Sequence, residues 1–343
     1  MNPVAVRLLN QQLVAPQFSD PAEVVSHMGA IQAQEYRMMR WAVAMRTRRP
    51  SARAFKEAFD SGRILRLHLM RGTWQLVSAG DYWPFLDLCS PKAIAVTRGW
   101  MHSNRITIPD EELMRIRDIL AQTAADKCSV TKEDFVQALA VRDISMDDHR
   151  LSYHIRMAEM SGTLCSGDLE PRKATYALTA DKVKPSDKMD RDEALMRFTR
   201  KYFQSHQPAT LEDFVWWSGL NVSDCRKGIA LLGNTIHVEK YQGREFYLTD
   251  DCRTRGFRKG KYLLIPPYDE YLIGYKSRDI VLPPEHTHRA HNNSGIFQPV
   301  IAHDGIICGN WSPFKPTCQA AFFSGDPDTT ALHSAWQTYQ QYL

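Results

Sequence analysis

A chain of 343 residues with 43% hydrophobic and 24% charged side chains holds enough apolar material for two or more packed modules, and its composition is that of a globular protein. No run nears the roughly 18 consecutive apolar residues of a membrane span, Met1-Asn2-Pro3-Val4-Ala5-Val6-Arg7 lacks the layout of a secretory leader, and the seven cysteines form no C-x-x-C pair, which argues against a disulfide framework or zinc knuckle and for a reduced, cytoplasmic setting. The net charge of +4, with a pI near 8.6, permits an anionic partner without demanding one.

After Arg7-Leu8-Leu9-Asn10-Gln11-Gln12-Leu13, a helix is predicted from Pro21-Ala22-Glu23, with Ser19 or Asp20 as its N-cap and proline at a favoured first position. A turn follows at Gly29-Ala30, and then the most distinctive triplet of the chain, Gln32-Ala33-Gln34. Tyr36 to Arg46 reads as a second helix, with Tyr36, Met39 and Val43 on one apolar line and Arg37 and Arg40 on an outward edge. Ile64 to Leu69 and Thr73 to Val77 read as a hairpin turning at Arg71-Gly72, and alternation with Leu67 and Leu69 assigns His68 to its polar face.

The next segments repeat. Thr131-Lys132-Glu133-Asp134-Phe135-Val136 recurs as Thr210-Leu211-Glu212-Asp213-Phe214-Val215, and in each the threonine can cap a short helix whose acids favour its positive end. A helical stretch follows each copy (Asp147 to Met160; Val222 to Leu232), then a glycine. Two short strands close each copy, Thr163 to Cys165 with Ala174 to Thr179, and Thr235 to Val238 with Glu245 to Thr249. The N-terminal region is a degenerate third copy, and helix, helix, hairpin is the order of a winged helix-turn-helix. After Asp251 a basic, glycine-punctuated stretch leads to short strands around His303-Asp304-Gly305. From Pro327 to Leu343, Leu332, Ala335, Trp336 and Tyr339 have the spacing of a helix that closes on that sheet.

Taken together, these passages resemble the AlkZ-like (also called YcaQ-like) winged-helix DNA glycosylases over nearly the whole chain. The resemblance rests on Arg7 to Leu13, on Gln32-Ala33-Gln34 as a glutamine-hydrophobic-glutamine motif, and on Leu69-Met70-Arg71-Gly72-Thr73. It extends to Pro267-Tyr268-Asp269-Glu270-Tyr271-Leu272-Ile273-Gly274-Tyr275 and to Gly295-Ile296-Phe297-Gln298-Pro299 with Asp304-Gly305. It implies a mainly α fold with β hairpins (α+β): three tandem winged helix-turn-helix modules (1–106, carrying the glutamines; 107–188; 189–252) around a concave basic surface, and a C-terminal β-barrel-like domain (253–343). It also implies a monofunctional glycosylase that excises N7-alkylated purines from double-stranded DNA, can unhook interstrand crosslinks, needs no cofactor or metal, and acts as a monomer that joins the nucleoid when bound. Trp74-Gln75 depart from the Leu-His that often follows Arg-Gly-Thr in the family.

The residues make chemical sense of that expectation. An N7-alkylated purine is already a cation, so it leaves without a strong general acid and the site needs chiefly a placed water, which two amides can orient. Gln32 and Gln34 are the candidate catalytic pair. On a regular helix they would diverge by about 200°, so convergence demands a non-helical backbone. Glu35, about 100° from Gln34 on a helix, ranks below them as a base. Arg37, Arg40 and Arg46 are expected to hold phosphates, and His68 and Arg71 to reach a groove as a wing. A solvated helix start is the plain alternative for the glutamines, and a DNA-binding regulator or scaffold without chemistry is the alternative for the whole chain. His286-Thr287-His288-Arg289-Ala290-His291 lacks metal-ligand spacing, Gly260-Lys261 misses the P-loop pattern, Trp216-Trp217 read as core, and Asp269-Glu270 are open between structure and catalysis.

Overall fold

A computed structural model describes residues 1–186, 188–325 and 328–342. After α1 (Pro3–Asn10), one element order occurs three times. The first unit comprises α2 (Pro21–Met28), β1 (Ile31–Gln32), α3 (Met39–Ala44), α4 (Ala52–Asp60), β2 (Ile64–His68) and β3 (Trp74–Ser78). The long helix α5 (Ala79–Ser103) leads to the second: α6 (Asp110–Lys127), β4 (Val130–Thr131), α7 (Lys132–Ala140), α8 (Asp148–Met160), β5 (Leu164–Ser166) and β6 (Thr175–Leu178). A single turn, α9 (Thr179–Lys182), precedes the third: α10 (Arg191–His206), α11 (Leu211–Ser218), α12 (Val222–Leu231), β7 (Ile236–Tyr241) and β8 (Arg244–Thr249). The sheets run β1-β3-β2 and β4-β6-β5, and in the third unit the first strand shrinks to a bridge between Ala209 and Tyr247.

Local chemistry sets these boundaries. Thr131 and Thr210 each accept the amide of the residue three places on, and Asp134 and Asp213 accept the threonine amide in exchange. Asp20 caps α2. The expected helix from Tyr36 to Arg46 is shorter, because the amides of Met38 and Met39 both bond the Glu35 carbonyl at 3.0 Å in a turn and α3 starts only at Met39.

The last segment holds β9 (Tyr262–Ile265), α13 (Glu270–Ile273), α14 (Thr287–Ala290), β10 (Val300–His303), β11 (Ile306–Trp311), β12 (Ala320–Phe322) and α15 (Thr329–Tyr342). Its antiparallel sheet, β12-β11-β10-β9, is open among the described residues and is not the expected barrel. One face is covered by α15, whose Leu332, Trp336 and Tyr339 pack with Tyr262, Leu264 and Trp311 and with Trp41 of α3, while Pro327 and Leu343 of the predicted helix lie outside the described residues. Leu8 and Leu9 of α1 join Ile265, Tyr271 and Val300, so the N-terminal helix shares a core with the C-terminal sheet.

The first sheet is a middle layer. Leu65, Leu67 and Val77 on one face pack with Phe198, Tyr202 and Trp217 of the third unit, while Ile31, Ile64 and Leu76 on the other pack with Val24, Val25, Phe55 and Phe59. The glutamine triplet thus lies where the first unit, the third unit and the C-terminal segment meet. Among the described residues no helix is long and apolar enough to cross a membrane.

Candidate active site

The triplet starts on a strand and leaves it through a bend at Gln34. Ile31 stands opposite Leu76 and Gln32 opposite Gln75, and the Ala33 amide donates to the Trp74 carbonyl at 2.8 Å, carrying the ladder one residue further. On extended chain, alternate side chains share a face, so a strand supplies the non-helical backbone that a convergent pair requires. β1 is also an edge strand, and the Gln32 amide points away from the sheet. There the buried carboxylate of Glu270 accepts it through Oε1 at 2.7 Å, while Trp217 Nε1 at 3.0 Å and His206 Nε2 at 3.2 Å donate to Oε2. Asp269 caps α13 and pairs with Arg46, so both acids of the Asp269-Glu270 motif hold structure.

Gln32 Oε1 accepts from Arg71 Nη2 at 3.0 Å, and Arg71 Nη1 donates to the Trp216 carbonyl at 3.1 Å. Arg71 adopts φ 55°, uncommon for a residue with a side chain, and lies against Gly219, where an added Cβ would sit 2.8 Å from Arg71 Cγ. Trp216 and Trp217 are neighbours on α11 and point about 100° apart. Trp217 enters the core and Trp216 turns away from it, half-buried, with Arg71, Lys276 and Arg278 lying 5.8, 4.8 and 5.5 Å from its ring. Asp213, from the third unit's capping box, orients Lys276 by accepting its amide at 2.8 Å. Burial depresses the Arg278 pKa to about 10 against the opposing charge of Asp213, and the nearby Arg71 charge pushes the same way as burial. Arg71 Nε, Arg278 Nη2 and Gln34 Oε1 are buried with no hydrogen-bond partner among the described residues. Such a cluster of cations with idle donors suits an anionic group such as phosphate.

Beside it opens a cleft of about 700 Å³ lined by Glu35, Tyr268, Arg289, Phe297, Phe314 and Lys315, among others. Glu35 bonds the Arg37 amide at 3.1 Å, and the Arg37 guanidinium packs 3.6 Å from the Phe314 ring.

The five expected DNA contacts fare differently. Arg37 is exposed and Arg71 sits in the cation cluster. Arg40 is half-buried, with Nη2 donating to the carbonyls of Glu170 and Pro171 in the second unit. Arg46 does not face outward: it is fully buried, its two Nη atoms donating to Asp269 at 2.8 and 2.7 Å, and holds α3 to the C-terminal segment. His68 is not on a solvated face either. The second unit covers β2, and His68 Nδ1 meets Glu159 of α8 while its ring packs 4.2 Å from Trp74. Burial lowers the His68 pKa despite the opposing Glu159 charge. By the sheet register, His68 and Trp74 occupy the face opposite to Gln32 and Gln75. Sequence reasoning missed Trp216, Lys276 and Arg278; the adjacency of Trp216 and Trp217 on one helix was the available signal, since neighbours cannot share a core-facing line.

A relative described as "Interstrand DNA cross-link repair glycosylase", from Streptomyces sahachiroi, is 26% identical over 325 residues, covering 88% of this chain and 85% of its own. The solved structure of Streptomyces sahachiroi DNA glycosylase AlkZ shares the fold with a TM-score of 0.78, over 99% of this chain and 95% of that one, at 21% identity. The family model for AlkZ-like DNA glycosylases matches residues 25–318, and the chain therefore belongs to the AlkZ-like DNA glycosylases, enzymes that act on N-glycosyl bonds.

Proposed function

We propose that this protein hydrolyses the N-glycosyl bond of cationic N7-alkylated purines in double-stranded DNA, as a monomer and without a cofactor, using a water oriented by Gln32 and Gln34. The observation that carries the reading is a glutamine pair on non-helical backbone, Gln32 ending a strand and Gln34 in the bend after it, whose nearest buried carboxylate, Glu270, is engaged by three donors. A base that leaves as a cation's neutral product asks for no general acid. The C1′–N9 electron pair moves to the base, water oxygen bonds C1′, and one water hydrogen departs to solvent as a proton. Orientation by fixed amides supplies the advantage, since a held water spares the entropy of assembling the reactants.

The three repeated units are read as winged helices around the DNA, with residues 1–106, 107–188 and 189–252 as their spans and 253–343 as a closing β-rich domain. Arg71, Lys276 and Arg278 around Trp216 bind a phosphate near the reacting nucleotide, and exposed Arg37 binds one further out. That intervening phosphate also screens the cationic base from the three side chains. The cleft at Glu35 exceeds what a methyl adduct needs, and with the relative's description this supports bulky adducts and interstrand crosslinks as substrates.

The test is duplex DNA carrying N7-methylguanine, with free base as the readout. Gln32→Ala/Gln34→Ala is expected to slow release on the order of 100-fold. Equal background release by wild type and variant ends the reading for that lesion. DNA affinity should fall with rising salt, and Arg278→Ala should lower that slope by about one.

A further inference from the structure

We infer that Gln75 joins the glutamine pair as a water-binding side chain of the site, its oxygen and that of Gln34 accepting the two hydrogens of the attacking water; this rests on the hydrolytic reading above. Gln75 lies directly opposite Gln32 in the β1–β3 ladder, so the two side chains share a face. The Ala33 amide still bonds the Trp74 carbonyl at 2.8 Å, and Gln34 follows at once in a bend beyond the end of the strand, two residues from Gln32. A bend at Gln34, next to the end of a ladder that holds Gln75, puts two long side chains at the same strand end, where one water between them can meet both.

The hydrogen bonds determine which end of each amide is free. Gln75 is wholly buried, and its Nε2 donates to Thr73 Oγ1 at 2.8 Å. Thr73 in turn donates its hydroxyl hydrogen to the Met70 carbonyl at 3.1 Å. Turning the Gln75 amide over would set its oxygen against a hydroxyl whose hydrogen is already committed, so the relay fixes Nε2 toward Thr73 and leaves Oε1 free. That oxygen is buried without a donor among the described residues, and so is Gln34 Oε1. Gln32 Oε1, by contrast, is already held by Arg71. Two waiting acceptors at one strand end match the two hydrogens of a water, and its oxygen lone pairs are left for C1′. Gln32, held by Arg71, keeps its place opposite Gln75. When the water oxygen bonds C1′ and the C1′–N9 pair leaves with the base, one hydrogen held by a glutamine departs to solvent as a proton, and no glutamine changes its own protonation.

The experiment compares wild type, Gln75→Leu and Gln75→His in single-turnover release of N7-methylguanine from duplex DNA, with melting temperature and DNA affinity measured in parallel. Gln75→Leu removes the acceptor at similar length, and its release rate is expected to fall on the order of 30-fold at unchanged DNA affinity. Gln75→His should regain part of that loss, with a rate that rises relative to wild type as pH passes the imidazole range near 6.5. A folded Gln75→Leu variant that releases base at the wild-type rate overturns the role. If Gln75→Leu does not fold, the pH profile of Gln75→His decides: an added imidazole limb supports the role, and a profile parallel to wild type overturns it. Wild type inert on this duplex removes the hydrolytic reading and the Gln75 role together; an active wild type with indifferent Gln75 variants removes only the latter.

Discussion

In the second unit β4 ends at Thr131, which caps α7 with Asp134 three residues on, and in the third Thr210 and Asp213 do the same for α11. By ladder position the first unit places Gln32 there, with Glu35 where the acid should be. No side chain caps α3, which begins only at Met39. A capped junction satisfies its own orphan amides and leaves little for a ligand. The uncapped one spends none of these side chains on a helix cap: Gln32 meets Arg71, Glu35 meets Arg37, and the edge-strand amide of Gln32 is taken by Glu270 of the C-terminal segment. In a set of repeats, the copy that abandons the shared stabilising device is the one to suspect of chemistry.

Outside the glutamines themselves, the largest effect should come from disturbing what replaces the cap. Glu270→Gln keeps the shape but offers one oxygen to three donors, so at least one N–H meets another N–H, at about 1–3 kcal/mol for each donor stranded. Base release should drop roughly 30-fold in the folded variant, and hydrogen exchange at the Gln32 amide should quicken. Unchanged exchange at Gln32 would show that Glu270 does not hold the strand.

Gly219→Ala acts one step away. Its φ of 69° disfavours any side chain, and the new Cβ would press on Arg71, which bonds Gln32. Base release should fall roughly tenfold. Gly233→Ala is the control, because φ there is also positive, at 53°, but the added carbon meets nothing within 4 Å. Equal losses in the two would mean that backbone strain alone is at work.

The lead helix of the first unit adds a pH dependence. Burial lowers His27 from the usual 6.5 to about 4, against the Asn10 carbonyl, 2.7 Å from Nε2, which favours the protonated ring. Between those values the unfolded chain binds a proton that the folded chain refuses, so His27 leaves stability intact above about pH 6.5 and erodes it as pH falls toward 4. The full loss is about 3 kcal/mol. His27→Gln, which keeps an N–H for Asn10, should flatten the melting temperature across that window; an identical slope would assign the acid sensitivity elsewhere, with buried His68 the next group to examine.

What could be read from the sequence follows the range of the interactions. The capping boxes join residues three apart, so the repeats and the helix starts at Lys132 and Leu211 were legible. The extended state of Gln32 depends on Gln75, far along the chain, and no local pattern near the triplet announces it. His68 alternates correctly for a half-exposed strand, yet α8 of the next unit covers it. Arg46 lies in an arginine-rich run and still ends in the core, because Asp269 awaits it there. Lys276 and Arg278 reach Trp216 only after the C-terminal segment docks on the third unit.

The smallest predicted effect tests the other half of the comparison. Thr131→Ala removes a cap that has no neighbour in the cleft, and its partner Asp134, whose carboxyl is held low by Lys127 and Thr131, loses one of its bonds. Stability should fall by about 1 kcal/mol, with base release unchanged at temperatures where the protein is folded. Thr131 is the cleaner choice over Thr210, since Asp213 of the third box also holds Lys276 beside Trp216. A Thr131→Ala variant that loses activity while keeping its fold would place the second unit's junction in the chemistry too, and the contrast between a stabilising junction and a working one would collapse.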